Sequence, residues 1–348
     1  MMETPAVATP VVATPAAPSS QPANRAPSPA AKPPRPPYVC IYASQVAVCI
    51  GANKHKKVSE AVDAMWQRIS PHSYYTALER NGLKTDDQNV TEIMARHLDI
   101  KTLVDRSLTL PCDSSDQVAA HYDTVSRDLE SVTLDDDEKR LVDDVLKRNL
   151  YTTYGNLHEH RMLAHIRDTL GIKCRPDPTF YKQLGGTCRG VPWYVGGKID
   201  AINEDRTLLI EIKNRVNRLF NRVPFYEVIQ VQTYLHLLGV EQGALVECLK
   251  STTNQGAGAL SAPAHVHCGD ERTVHSGVEG GDVHVNVIPI GRDHDLWKRS
   301  IMPKLEAFVD FLLRLLDDPK LQDRYMSSKR RSVLVLNHMS AWARAAAP

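Results

Sequence analysis

The stretch 196–213, GGKIDAINEDRTLLIEIK, leaves the chain few ways to fold. Apolar and polar residues alternate on both sides of Asn203-Glu204-Asp205-Arg206, a run whose residue types favour a turn. The pattern predicts a strand over 193–202, a tight turn, and a second strand over 208–213. In that second strand Glu211 and Lys213 share one face, while Ile210 and Ile212 share the other. Asp200 stands near the end of the first strand. Strand geometry therefore gathers two acids and a lysine, which suits the holding of a divalent cation beside a phosphodiester.

The flanking sequence sets this pair of strands in an α/β context. Residues 1–38 hold eleven of the 22 prolines and cannot bury enough apolar surface to offset ordering entropy, so a disordered leader is expected. Folded structure is expected from Tyr38 onward, first as a short apolar segment and then Ala43-Ser44-Gln45. Ser44 reads either as the N-cap of a short helix beginning at Gln45 or as a hydroxyl set on a phosphate. Val58, Ala61, Val62 and Met65 fall at helical spacing. Residues 71–150 read as a helical elaboration, with helices over 91–104, 114–132 and 134–150. The last opens on the acids Asp135, Asp136, Asp137 and Glu138, placed as a solvated first turn. A separate helix over 151–170 carries Gly155, Glu159 and the stripe Met162, Leu163, Ile166 and Leu170. Its His158, His160 and His165 lack a partner set at a metal-binding spacing, and are expected to be exposed or to face phosphate.

Beyond the two strands, Arg215, Arg218 and Arg222 follow Lys213 with no acid among them. They read as a solvated loop or as a track for a nucleic-acid backbone. Pro224 and Gly239 bracket a helix over 225–238. On it Gln230 and Gln232 stand about 200° apart and cannot face one site together. Gln230 shares its face with Tyr226, Glu227, Thr233 and Tyr234, whereas Gln232 lies with Val228, Ile229 and Leu235 on the packed side. Further strands are expected over 244–249 and 283–290, separated by a flexible insertion over 251–281. His265, His267 and Cys268 in that insertion reflect its composition. An amphipathic helix over 292–316, kinked at Pro303, closes a core of 39–317, and 318–348 reads as a tail in which Lys329-Arg330-Arg331 is exposed charge.

Composition narrows the function classes. A net charge of +1 over 348 residues means that any basic surface is local. Seven scattered cysteines with no CxxC pair argue against a disulfide framework or a zinc ribbon. They fit a reducing compartment, the cytoplasm or nucleus of a host cell, rather than secretion. No apolar run of about 18 residues is present, so no membrane partner is expected.

The chemistry follows from the donor types. Hard divalent ions such as Mg²⁺ prefer oxygen ligands and keep several waters. Asp200 and Glu211 are the candidate ligands, with the backbone carbonyl of Ile212 as a third. Lys213 would orient a water or stabilise developing charge. Glu159 would reach the same centre from its helix, as a ligand or through water. Gln230 would approach from the opposite side, with Tyr234 beside it as a substrate contact.

The ordered set Tyr154-Gly155-…-Glu159, Gly197-Lys198-Ile199-Asp200, Glu211-Ile212-Lys213 and Gln230-Val231-Gln232 resembles the PD-(D/E)XK nuclease superfamily. It is most similar to the YqaJ-type viral recombinase branch that includes the phage lambda-type exonuclease. The resemblance spans about residues 39–250, with Ile199-Asp200 standing where that family has Pro-Asp. It implies a restriction-endonuclease-like core, a central mixed sheet flanked by helices. It further implies a nuclease using Mg²⁺, or Mn²⁺, with Asp200, Glu211 and Glu159 in the acidic centre, Lys213 as catalytic lysine, Gln230 near the phosphate and Ser44 on a phosphate. The implied partners are duplex DNA ends, further copies of the chain in a ring, and a single-strand annealing or replication protein. The implied setting is viral-type replication and recombination. A structure-specific endonuclease, an RNA-degrading enzyme and a non-catalytic nucleic-acid-binding module remain as alternatives.

Overall fold

The computed structural model describes residues 38–170, 172–220, 222–251 and 282–345. The expected leader and nearly all of the expected insertion, with His265, His267 and Cys268, lie outside them. In order, the chain forms β1 (Val39–Tyr42), α1 (Ala43–Cys49), α2 (Val58–Ile69), α3 (Pro71–Arg80), α4 (Asp86–Arg96), α5 (Leu98–Thr109), α6 (Ser115–Glu130) and α7 (Asp136–Leu170). There follow β2 (Cys174–Cys188), β3 (Val191–Asn203), β4 (Leu208–Arg215), α8 (Phe225–Leu238), β5 (Gln242–Ser251) and β6 (Asp282–Gly291). A π turn (Leu296–Ile301) then leads into α9 (Met302–Asp317), α10 (Pro319–Ser327) and α11 (Arg331–Ala345).

One mixed sheet runs in the order β1-β3-β4-β5-β6, with β2 also paired to β3. β3 is antiparallel to β4, whose parallel partner β5 is reached through α8. The second half of α7 covers one face, where Met162, Leu163 and Ile166 meet Ala201, Ile210, Ile212 and Val246. α8 covers the other, with Val231, Tyr234 and Leu235 on Ile202, Leu209 and Leu245. A further apolar cluster joins Val39, Ile41 and Trp193 to Trp66, Phe308, Phe311 and Tyr325 of the surrounding helices. Ile93, Ile100, Leu146, Leu150 and Tyr154 form the separate core of the helical elaboration. The molecule is thus α/β, a central mixed sheet flanked by helices, as expected of a restriction-endonuclease-like core with a helical N-terminal elaboration.

Two irregularities of β3 prepare the functional site. β2 pairs along nearly its whole length, so β1 and β4 must share its other edge. β1 pairs as far as Gly196 and β4 pairs from Ala201, leaving a fork over 197–200. Within the fork the β2 register slips: Asp177 lies opposite Ile199 and Pro176 opposite Ala201, so Asp200 is an extra residue. A bulge of this kind re-aims a side chain and bends its strand.

Four expectations about the elements require correction, and one is refined. The helices expected over 134–150 and 151–170 are one helix, α7, whose apolar stripe serves the helical core in its first half and the sheet in its second. The helix expected over 91–104 breaks at His97, whose extended backbone separates α4 from α5. Ser44 is not an N-cap, because β1 passes directly into α1 at Ala43 and leaves Tyr42 at the cap position. The helix expected over 292–316 forms, but the kink expected at Pro303 takes the shape of a π segment just before it, as the missing Pro303 N–H cannot bond the carbonyl four residues back. Residues 319–345, read as tail, form α10 and α11, which bury Tyr325, Met326, Val335 and Met339 against the main core. There Arg331 bonds the Met326 carbonyl and pairs with Asp63 instead of standing free.

Gly197 tests the packing around the fork. A Cβ there would lie 2.8 Å from the Tyr234 ring and 3.2 Å from Ala43 Cβ, so α1 and α8 approach β3 only over bare backbone. Gly197→Ala should cost about 1–3 kcal/mol through this overpacking, read as a lower urea midpoint at unchanged slope. An unchanged midpoint would show that the two helices can separate freely.

Candidate active site

Register and the bulge place Asp200 on the α8 side of the sheet with Glu211 and Lys213. Asp200 Oδ2 accepts the Ile212 N–H at 2.7 Å, which clips β3 to β4 where their ladder ends. Lys213 Nζ donates to Glu211 Oε1 at 2.6 Å and to Gln230 Oε1 at 3.3 Å. Gln230 Nε2 donates to the same Glu211 oxygen at 2.7 Å. Three hydrogen bonds thus lock Glu211, Lys213 and Gln230 into a triangle next to Asp200. Gln232 is buried elsewhere, donating to the Gly291 carbonyl and accepting the Asp293 N–H. It fastens the end of β6 and has no part in the triangle.

The electrostatics are those of an acid pair short of positive charge. Burial raises Asp200 to about 6, reinforced by the charge of Glu159 and opposed by Lys213 and the Ile212 N–H. Burial raises Glu211 to about 7, helped by Asp200 and Glu227 and opposed by Lys213. Burial pulls Lys213 down, but Glu211 and Asp200 outweigh it and hold the ammonium above its usual range. Glu159 is half-buried on α7 and makes itself felt at Asp200. Asn214 Nδ2 fixes that helix to β4 by donating to the Gly155 carbonyl at 3.0 Å, one turn before Glu159.

Among the described residues no three His, Cys, Asp or Glu side chains converge as a ready-made metal centre. The buried Glu211 and half-buried Asp200 nonetheless fit a hard divalent ion. Their donors are oxygens, burial disfavours their charge even beside Lys213, and such an ion completes its shell with water.

Other candidates fall differently. Arg215 does not belong to a phosphate track. Its guanidinium is bidentate on Glu227 at 2.9 and 2.6 Å, bonds Glu247 Oε1 at 2.8 and 2.5 Å, and lies 4.3 Å from the Phe220 ring centre. Both acids are buried, and neither is near Arg215 in sequence, so local charge counting missed them. Arg218 and Arg222 remain exposed. Tyr234 is buried against Gly197, so its ring packs beneath the site instead of meeting a substrate directly. Ser44 is exposed in the first turn of α1. His158 is neither exposed nor phosphate-facing, because its Nε2 is buried on the Cys112 carbonyl at 2.8 Å. Sequence reasoning gave no role to Glu227 or Asn214. The one signal for Glu227 was its place one turn before Gln230 on the same helix.

No protein-family model matches the chain, and no curated protein does. Some solved structures are similar to it. One is a phage-related exonuclease from Haemophilus somnus 129PT, at a TM-score of 0.36 and 12% identity over 80% of this chain and 96% of that one. Another is the alkaline exonuclease LHK-Exo from Laribacter hongkongensis, at 0.33 and 14% over 64% and 93%. The same enzyme in complex with dAMP gives 0.32 and 15% over 65% and 92%. Likeness this distant leaves the reaction to be argued from the side chains. No helix among the described residues is long and apolar enough to cross a membrane.

Proposed function

We propose that this chain is a Mg²⁺-dependent nuclease that hydrolyses phosphodiester bonds, acting as an exonuclease on the ends of double-stranded DNA. The observation that carries the reading is the hydrogen-bonded triangle of Glu211, Lys213 and Gln230 beside the bulged Asp200. Asp200 and Glu211 would hold the cation, with the Ile212 carbonyl and Glu159 as further oxygens. When bound, the cation acidifies a water and neutralises charge on the scissile phosphate. Lys213 directs its ammonium at that water or at the phosphate oxygens, and Gln230 keeps the ammonium aimed. Ser44, Arg218 and Arg222, all exposed, would meet neighbouring phosphates.

Incubation with end-labelled linear duplex, closed circular duplex and RNA, with and without Mg²⁺, tests the reading. Loss of the linear duplex alone, dependent on Mg²⁺ and absent in Asp200→Ala, is the expected result. Cutting of the circle would make the protein an endonuclease, and loss of the RNA an RNA-degrading enzyme. Binding without cleavage in the parent chain would remove the enzyme claim. A second readout needs no turnover. A cation that binds only the folded chain stabilises it by about 2.7 kcal/mol at a hundred times its Kd, so Mg²⁺ should raise the parent Tm but not that of Asp200→Ala.

A further inference from the structure

The sheet is covered on both faces over most of its extent, but not at the β1–β2 end. There Val39, Ile41, Trp193 and Val195 enter the core on one side. Their alternating neighbours on the opposite face meet solvent. Register aligns Tyr42 with Gly196, Lys182 with Gly196, Phe180 with Lys198, and Cys40 and Leu184 with Tyr194, so these residues share the outward face. Three of its rings are widely open: Tyr38 at 47%, Phe180 at 44% and Tyr42 at 39%.

Cations are interleaved with the rings. Lys182 Nζ lies 3.8 Å from the ring centres of both Tyr38 and Tyr194, which meet edge-on at 5.9 Å. The Arg68 guanidinium lies 4.2 Å over Tyr42, which meets Phe180 edge-on, also at 5.9 Å. Phe180 rests on the bare backbone of Gly196, where a Cβ would come within 3.0 Å of the ring. Lys198 is exposed beyond it, two residues before Asp200. The segments 38–42, 180–184 and 192–198 contain no acid.

Exposed rings of this number on a sheet face are unusual for a surface that meets only water. Rings separated by cations, with no anion among them, match a ligand that offers flat π faces and regular negative charge together. Unpaired bases on a phosphate backbone are such a ligand. A duplex keeps its base faces inside its own stack and could use only the cations.

We propose that the outward face of β1, β2 and the first half of β3 is a stacking platform for single-stranded nucleic acid. Its Phe180–Lys198 end opens on the fork that holds Asp200. Delivery of the strand to that fork rests on the nuclease reading, whereas binding to the platform does not.

Fluorescence anisotropy of the full chain with a labelled oligothymidylate and with a blunt duplex, both in EDTA, tests the platform. Tyr42→Ala/Phe180→Ala should weaken oligothymidylate binding by at least about tenfold and leave duplex binding unchanged, whereas Tyr42→Phe should keep parent affinity. Lys182→Ala should flatten the dependence of log affinity on log salt by about 0.7. A folded double variant with parent affinity for the oligothymidylate would overturn the proposal, as would a parent chain that does not bind it. If the double variant does not fold, Tyr42→Ala alone supplies the same comparison. Oligothymidylate binding without cleavage of any substrate would keep the platform and remove the nuclease. Duplex cleavage with no effect of the ring substitutions on oligothymidylate affinity would do the reverse.

Discussion

Lys213→Ala should lower kcat on linear duplex DNA by about 10²–10³-fold, the usual scale for removing one preorganised electrostatic group. The ammonium is held by Glu211 and Gln230 at 2.6 and 3.3 Å. Its position is therefore set before substrate arrives, and its loss removes a charge that water cannot replace in the same place. DNA affinity should change much less, because the exposed Arg218 and Arg222 survive. Gln230→Ala should lower kcat by a smaller factor, since Glu211 still holds the ammonium. Gln232→Ala should lower Tm and leave kcat near the parent value. Single-turnover rates with saturating enzyme separate these effects from binding. A Lys213→Ala rate within a few-fold of the parent would exclude the lysine from the chemistry, and equal rate losses for the two glutamines would mean that the triangle does not act as a unit.

Arg215→Ala should cost about 3–5 kcal/mol of stability, the expected penalty for leaving buried charge unpaired. Glu227 and Glu247 both lie in the interior and both bond this one guanidinium. Without it two buried carboxylates are left with no cation between them, and Phe220 loses the cation beside its ring. The urea midpoint should fall at near-constant slope, and Arg215→Ala/Glu247→Gln should regain part of the loss because the repulsion disappears. Arg215→Ala close to parent stability would mean that the cluster admits water and contributes little. The double variant below the single would mean that the Glu247 carboxylate is worth more to the Phe220 N–H and Asn286 than it costs beside Glu227.

The features legible in the sequence were those fixed by near neighbours. Alternation exposed β3 and β4, and Asn203 made their turn by accepting the N–H groups of Thr207 and Leu208. Gly239 ends α8 in the left-handed conformation, at a φ of 67°. The angular argument separating Gln230 from Gln232 needed only helical geometry, and the two side chains do diverge. Features made by distant partners were hidden. β2 was overlooked because Pro176 and Pro178 look like a loop, yet an edge strand with irregular register tolerates them. Arg215 looked like part of a basic run because its acids stand 12 and 32 residues away. Gly155, near the start of the helix expected over 151–170, lies inside α7, where nothing would crowd a side chain.

The 35 residues of α7 amount to a rod about 52 Å long at 1.5 Å per residue. One end is embedded in the core of the helical elaboration and the other in the sheet, with Glu159 between them. Such a rod transmits displacement instead of absorbing it. Asn214 ties the rod to β4 one turn before Glu159, so the helical elaboration and the strand that carries Glu211 and Lys213 share one rigid support.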